Sequence, residues 1–100
     1  MVNYSILADP KVKNDLTEAR DFLNSRRKGL GKKFLSEYRN SLKSLQINPN
    51  FQIRYNDIHC LPMKTFKYMI HFAVNDETKS VHIYAVLSTY LNPDIHWIKK

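Results

Sequence analysis

Residues 67–88 read KYMIHFAVNDETKSVHIYAVLS, two runs of alternating character on either side of a short polar stretch. Such alternation is typical of β-strands, and the polar stretch from Asp76 to Lys79 predicts a hairpin loop. If Asn75 lies opposite Ser80, the pairing register separates the side chains of the hairpin into two faces. One face is then apolar throughout, with Tyr68, Ile70, Phe72 and Val74 beside Val81, Ile83, Ala85 and Leu87.

The opposite face of this hairpin mixes aliphatic with titratable side chains. We expect it to stay open to a partner, because the uniformly apolar face is the one that needs a cover of helices. In the predicted register His71 faces Tyr84, and His71 and His82 are diagonal neighbours within about 7 to 8 Å at Cα. The residues predicted on the open face are Lys67, Met69, His71, Ala73, His82, Tyr84, Val86 and Ser88.

Two amphipathic helices are predicted ahead of the strands. Asp9-Pro10 combines an N-cap residue with proline at the first helical position, and Gly29 supplies the stop signal. The second helix follows almost at once and ends at Asn48-Pro49, so the two helices are antiparallel neighbours. Their apolar stripes are Val12, Leu16, Ala19 and Leu23 in the first helix and Phe34, Leu35, Tyr38, Leu42 and Leu45 in the second.

Further strands are predicted at Val2 to Leu7 and at residues 51–55 and 58–64, with Pro62 marking an edge or a bulge. The predicted fold class is therefore α+β, with the order β-α-α-β-β-β(-β). The helical hairpin packs on one face of a mainly antiparallel sheet, which gives a two-layer protein. A chain of 100 residues, 43% of them apolar, suits one such core, so residues 1–100 are predicted to form a single domain.

Positive charge is concentrated in one segment of the chain. Sixteen Lys and Arg against nine Asp and Glu leave a net charge of +7. Between Asn24 and Ser44, seven basic residues against the single acid Glu37 leave +6, so we expect an acidic partner: nucleic acid, an acidic protein or an anionic lipid surface. An ordinary solvated helix surface is the alternative. The seven are Arg26, Arg27, Lys28, Lys32, Lys33, Arg39 and Lys43.

Composition also excludes several kinds of site. Cys60 is the one cysteine, so neither an intramolecular disulfide nor a cysteine-rich zinc site is predicted, and we expect Cys60 to be a small buried hydrophobe. The histidines lack zinc-type spacing, and no motif predicts a cofactor. Polar residues interrupt every apolar run and no secretion signal is recognisable, so we expect a cytoplasmic protein without a membrane span.

Short motifs along almost the whole chain occur in a particular order. They are Tyr4 in the first strand, Asp15-Leu16 and Glu18-Ala19, Leu30 to Phe34, Leu45 to Phe51, Leu61 to Tyr68, Ala85 to Leu87, Asn92-Pro93 and Trp97. In this order and spacing they resemble the RelE/ParE superfamily of bacterial toxins from type II toxin–antitoxin systems, including ParE-like plasmid stabilisation proteins. The resemblance implies a RelE-like fold whose first strand pairs beside the last, a protein that inhibits growth, and a cognate antitoxin that neutralises it.

The superfamily contains two activities, and the residues favour one of them. One branch cleaves messenger RNA on the ribosome with basic residues, and the other poisons DNA gyrase without cutting nucleic acid. The resemblance places Met69 where the nucleolytic branch commonly has arginine, and methionine cannot stabilise a phosphorane. Residues 87–93, where that branch has further cations, contain no basic residue. The sequence therefore favours a non-nucleolytic toxin that acts on gyrase by binding.

A ribosome-dependent endonuclease is the alternative. Metal-independent RNA cleavage needs a base, an acid and a cation near the phosphate, and His71, His82 and Lys67 have the chemistry for these roles. Tyr84 or Tyr90 would stack on a base. The histidines are otherwise ordinary surface residues, and a plain nucleic-acid-binding module is a third possibility.

The expected antitoxin is a long acidic amphipathic segment. Such a segment would add a helix to the helical hairpin or a strand to an exposed sheet edge, so we expect a hetero-oligomer. The residues predicted to contact the antitoxin or the target are Arg26, Arg27, Lys32, Lys33, Met69, Val86 and Tyr90.

Overall fold

The computed structural model describes residues 3–49, 53–55 and 58–89. These residues form β1 (Ser5–Ala8), α1 (Lys11–Arg26), α2 (Leu30–Ile47), β2 (Ile53–Tyr55), β3 (Ile58–Pro62), β4 (Tyr68–Asn75) and β5 (Ser80–Ser88). The strands make one sheet in the order β1-β5-β4-β3-β2. β1 runs parallel to β5 and the other neighbouring pairs are antiparallel, which confirms the predicted fold class and the pairing of the first strand beside the last.

Local signals in the sequence set the ends of both helices. The Asp9 carboxylate accepts the Lys11 N–H at 3.0 Å, which fixes the entry to α1. Gly29 adopts a positive φ of 91° and connects the two helices. The Asn24 side chain of α1 accepts the Gly31 N–H at 2.8 Å, so one helix caps the start of the other. Neither helix is long and apolar enough to span a membrane, and the described residues contain no other helix.

The hydrophobic core lies between the helical hairpin and the sheet. Phe34 of α2 is completely buried, and its ring meets those of Phe66 and Tyr68 edge to face at centroid distances of 5.5 and 5.1 Å. Burial raises the pKa of the Tyr38 and Tyr68 hydroxyls. The helix stripes and the sheet side chains that meet here include Val12, Ala19, Leu23, Tyr38, Leu45, Ile70, Phe72, Val81, Ile83 and Val86.

The β4–β5 hairpin changes register part of the way along. The pairs from the loop up to Phe72 and Ile83 follow the predicted register. The next pair joins His71 to Ala85, so Tyr84 is an extra residue in β5. Because side chains alternate between the faces of a strand, one extra residue exchanges the faces of everything beyond it.

This bulge corrects the predicted placement of four residues. Val86 was expected on the face away from the helices, but it pairs with Ile70, is only 2% exposed and belongs to the helix-side core. Its N–H donates to the Asp15 carboxylate of α1 at 3.1 Å. Ala85 and Leu87, expected beneath the helices, turn to the other face, and Ser88, expected on the open face, pairs with Tyr68 on the helix side.

Hydrogen bonds hold β1 in its place at one end of the sheet. The Tyr4 hydroxyl donates to the Asp76 carboxylate at 2.7 Å, and this bond raises the pKa of Tyr4. The Tyr4 N–H donates to the Gln46 carbonyl near the end of α2, and the Ser5 N–H donates to the Lys79 carbonyl in the hairpin loop. The first strand is therefore tied to both the helical layer and the last hairpin.

The helix crossing at Gly31 gives a stability prediction. A Cβ at Gly31 would lie 2.7 Å from Arg20 Cγ and 2.8 Å from the Arg20 carbonyl oxygen. We expect Gly31→Ala to lower the free energy of unfolding by about 1 to 3 kcal/mol through overpacking, although alanine gains about 1 kcal/mol of helix propensity over glycine. Ser36→Ala, at an exposed position of the same helix, is the control and should be neutral or slightly stabilising. Urea unfolding measures both, and a Gly31→Ala protein as stable as the parent would contradict the close packing.

Candidate functional site

The sheet surface away from the helices, here called the histidine face, carries Cys60, Met69, His71, His82 and Tyr84. Its centre is closed: His71 is 0% exposed, Cys60 5% and Met69 6%. The prediction that His71 and Met69 are open to a partner was therefore wrong as to their exposure. The solvent-accessible part of this face lies nearer to β1.

His71 is held in the closed centre by a neighbour on β3. Cys60 and His71 are cross-strand partners, and Cys60 Sγ lies 3.4 Å from His71 Nδ1. Cys60 is buried as predicted, but its contact with a histidine could not be predicted, because the β3–β4 register has no signal in the sequence. His71 is thus a polar member of the interior of the sheet.

His82 and Tyr84 lie at the accessible end of the histidine face. The His82 and Tyr84 rings are stacked, with centroids 4.5 Å apart and planes at 19°. His82 Nε2 is buried, and no described residue gives it a hydrogen-bond partner. The two rings border a shallow groove with Leu7, whose side chain is 54% exposed. His82 pairs with Ala73 as predicted, whereas the bulge separates Tyr84 from His71.

Lys67 lies at the other end of β4. Its carbonyl accepts hydrogen bonds from the N–H and the hydroxyl of Thr89, at 2.9 and 3.3 Å. Lys67 is six positions before Ala73, the partner of His82, which corresponds to about 20 Å along the strand. The structure therefore does not bring the predicted base, acid and cation together. Tyr90, the other predicted stacking residue, lies outside the described residues.

The remaining predicted residues cluster where the two helices meet. Arg26 ends α1, Arg27 follows it, and Lys32 and Lys33 stand in the first turns of α2, all four exposed. The Arg26 guanidinium lies over the Phe22 ring, 5.4 Å from its centroid. Beside this cluster runs a shallow channel between the helices, here called the basic groove, lined by Arg20, Asn24, Lys28, Gly29, Lys32, Leu35 and Arg39.

Glu37, the one acid between Asn24 and Ser44, does not neutralise the basic groove. Glu37 turns to the sheet, where its carboxylate accepts the N–H groups of Lys64 and Thr65 at 2.7 and 2.9 Å. Arg20, missed in the sequence because it precedes the basic segment, pairs with Asp21 at 3.0 Å. Among the described residues, the basic side chains of α2 and of the link before it form no ion pair. Their charge is open to solvent.

Comparison with known proteins gives the class of fold. No family model and no curated protein matches the chain. Solved structures do match, and they show that the chain has the fold of the RelE/ParE toxins, as the sequence predicted.

Three solved structures illustrate this likeness. A chain of the chromosomal ParDE toxin–antitoxin system from P. aeruginosa is 17% identical, with a TM-score of 0.72 over 85% of this chain and 95% of that one. A double arginine-to-alanine mutant of E. coli toxin RelE in the free state is 13% identical, with a TM-score of 0.62 over 89% and 86%. The same mutant in complex with an antitoxin RelBc peptide is 16% identical, with a TM-score of 0.51 over 99% and 98%.

The closed centre of the histidine face predicts an unreactive thiol. Cys60 is buried beside His71, so we expect Ellman's reagent to modify it only after unfolding in guanidinium chloride. A Ser36→Cys variant adds an exposed thiol on α2 and should show one fast and one protected cysteine. Rapid modification of Cys60 in the folded parent protein would show that this face is open.

The positive charge at the start of α2 predicts a stability effect. No acidic residue occupies the first turn of α2, and Lys32 stands there instead, near the positive end of the helix dipole. We expect Lys32→Glu to raise the free energy of unfolding by about 0.3 to 1 kcal/mol at low ionic strength. Lys43→Glu, the same charge change far from the N-terminus of that helix, should not raise it. Urea unfolding at low and high salt tests this, since a gain that persists at high salt would not be electrostatic.

Proposed function

We propose that this protein is the toxin of a type II toxin–antitoxin module and that it acts on DNA gyrase by binding, without cutting nucleic acid. The fold supports the first half of the proposal, because the solved structures with this fold include a ParDE toxin–antitoxin system and RelE in complex with an antitoxin peptide. The proposed setting is the cytoplasm of a bacterial cell, where the module would stabilise a plasmid.

We prefer a binding mechanism because the histidines and the cation that catalysis would need lie far apart on the sheet. RNA cleavage needs an acid, a base and a charge-stabilising group around one phosphate. Here His71 is buried against Cys60, Lys67 lies about 20 Å from the partner of His82 along β4, and β4 contains no arginine. These features support inhibition by contact with a protein target.

The proposed antitoxin is an acidic chain that covers exposed positive charge. The tip of the helical hairpin presents Arg26, Arg27, Lys32 and Lys33 to solvent. Acidic segments are attracted to such a surface, and the charge accelerates their association. The complex would be a hetero-oligomer, which agrees with the solved structures of this fold that contain antitoxins.

The second candidate is a ribosome-dependent mRNA endonuclease. The stack of His82 on Tyr84 favours it, because a titratable ring and an aromatic ring meet at the accessible end of the histidine face. In that mechanism His82 exchanges a proton with the RNA and Tyr84 stacks on a base. His71 and Lys67 would then need to approach His82 through a rearrangement of the sheet.

Growth and target assays separate the two candidates. We expect induced expression to arrest growth, co-expression of the cognate antitoxin to restore it, and purified protein to inhibit gyrase supercoiling. Primer extension on a reporter messenger RNA should show no cuts in the ribosomal A site. His82→Ala should retain full growth arrest, because no proton transfer is involved.

The endonuclease predicts the opposite pattern. Cuts would appear in the messenger RNA, disappear in His82→Ala and persist in Tyr84→Phe, which keeps the ring that stacks. Unimpaired supercoiling at saturating toxin would remove gyrase as the target, and normal growth on induction would remove the toxin role itself.

A further inference from the structure

We propose that the basic groove between α1 and α2 binds the phosphodiester backbone of nucleic acid without regard to sequence. This is a second activity, on a different surface from the histidine face, and it does not depend on which target the toxin inhibits. It rests on the charge, the spacing and the lining of the groove.

The groove concentrates cations, and three of them, Lys28, Lys32 and Arg39, form no ion pair with a described residue, whereas Arg20 pairs with Asp21. Arg20, Lys28, Lys32 and Arg39 line it from both helices and from the link between them, and all four are exposed. Glu37, the one acid between Asn24 and Ser44, is engaged by backbone N–H groups of Lys64 and Thr65 on the sheet side. Lysine and arginine side chains displace the counterions condensed on a nucleic acid, and the release of those ions is the source of a salt-dependent affinity.

The cations are spread along the groove and over both of its walls. Lys32 and Arg39 are seven residues apart on one stripe of α2, which places them about 10.5 Å apart along the helix axis. Arg20 approaches from α1 on the opposite wall, so the cations flank the groove from two sides.

The lining favours phosphates over an acidic protein helix. An amphipathic helix that docks in a groove needs a stripe of apolar contacts, and here Leu35 is the one large apolar side chain in the lining, half-buried in its own helix. Arginine presents planar donors that match phosphate oxygens in pairs, and two of the four cations are arginines. A flexible nucleic acid strand, with a negative charge at every phosphate, fits such a groove better than an amphipathic helix does.

The position of Lys32 indicates that the charge is kept at a cost to stability. The start of a helix favours acidic side chains, yet the first turns of α2 carry Lys32 and Lys33, and its first turn contains no acid. The helix dipole adds to the positive potential of the lysines at this point. A bound phosphate would relieve the repulsion that the free protein carries.

Fluorescence anisotropy with the full chain tests the proposal. The probes are a short fluorescein-labelled duplex DNA and a single-stranded RNA of the same sequence. If about four phosphates are contacted, the slope of log affinity against log salt is about −3.6 for the duplex and about −2.8 for the single strand, which is an approximately 150-fold loss of duplex affinity between about 50 and 200 mM salt. The tighter probe identifies the source of the phosphates.

Single charge reversals locate the binding surface. Lys32→Glu and Arg39→Glu should each weaken binding about five- to tenfold and reduce the salt slope by about one. Lys13→Glu, at an exposed position near the start of α1 and so at the other end of the hairpin, makes the same charge change and should leave the slope unaltered. Since Lys32→Glu is expected to stabilise the fold, a loss of binding in that variant does not reflect unfolding.

Three results would overturn the proposal. One is binding without salt dependence, and another is a Lys13→Glu variant as weak as the two groove variants. The third is a polyglutamate chain of matched charge that binds the groove more tightly than either nucleic acid, which would assign the surface to an acidic protein.

Discussion

One extra residue in β5 decides which side chains of the sheet meet the helices. Up to Ile83 the strand alternates as an ideal hairpin would, and after Tyr84 the alternation is inverted. The inversion carries Val86 into the helix-side core, where its N–H bonds to Asp15 of α1 at 3.1 Å. A helix carboxylate thus satisfies a backbone group at the place where the ladder is disturbed.

The centre of the sheet is closed on both faces. Between Met69 and Phe72, β4 is buried on both faces, as expected for a central strand covered on each side. His71 is the polar exception in that run, and its contact with Cys60 fits it into the interior. The accessible polar side chains therefore lie at the margins of the sheet and on the helical hairpin.

The sequence predicted the fold well because its signals are local. Asp9-Pro10, Gly29 and Asn48-Pro49 lie at helix boundaries, although Pro10 occupies the N-cap position of α1 and not its first helical position as predicted. The loop at residues 76–79 forms a hairpin, as predicted. The bulge had no such signal, because no glycine marks it and residues 84–87 are apolar at both parities.

The candidate site was less predictable than the fold, because its contacts join distant segments. Cys60 meets His71 through the β3–β4 register, and Arg20 joins the basic groove through the helix crossing. Charge counting found the basic segment but could not show that Glu37 faces the sheet. The motifs predicted the RelE/ParE fold through their order along the chain. Order does not distinguish a gyrase target from a ribosome target, because that distinction depends on individual side chains.

Because β1 pairs with β5, the sheet can close only after β5 has emerged from the ribosome. Ser5 pairs with Ser80, so the first strand waits for nearly the whole described chain before it acquires its neighbour. At about 5 to 20 residues per second, that wait is about 4 to 15 seconds. The helices are translated before β4 and β5, so their apolar stripes lack these covering strands during much of this interval. Any chain that covers those stripes before β5 emerges competes with closure of the sheet.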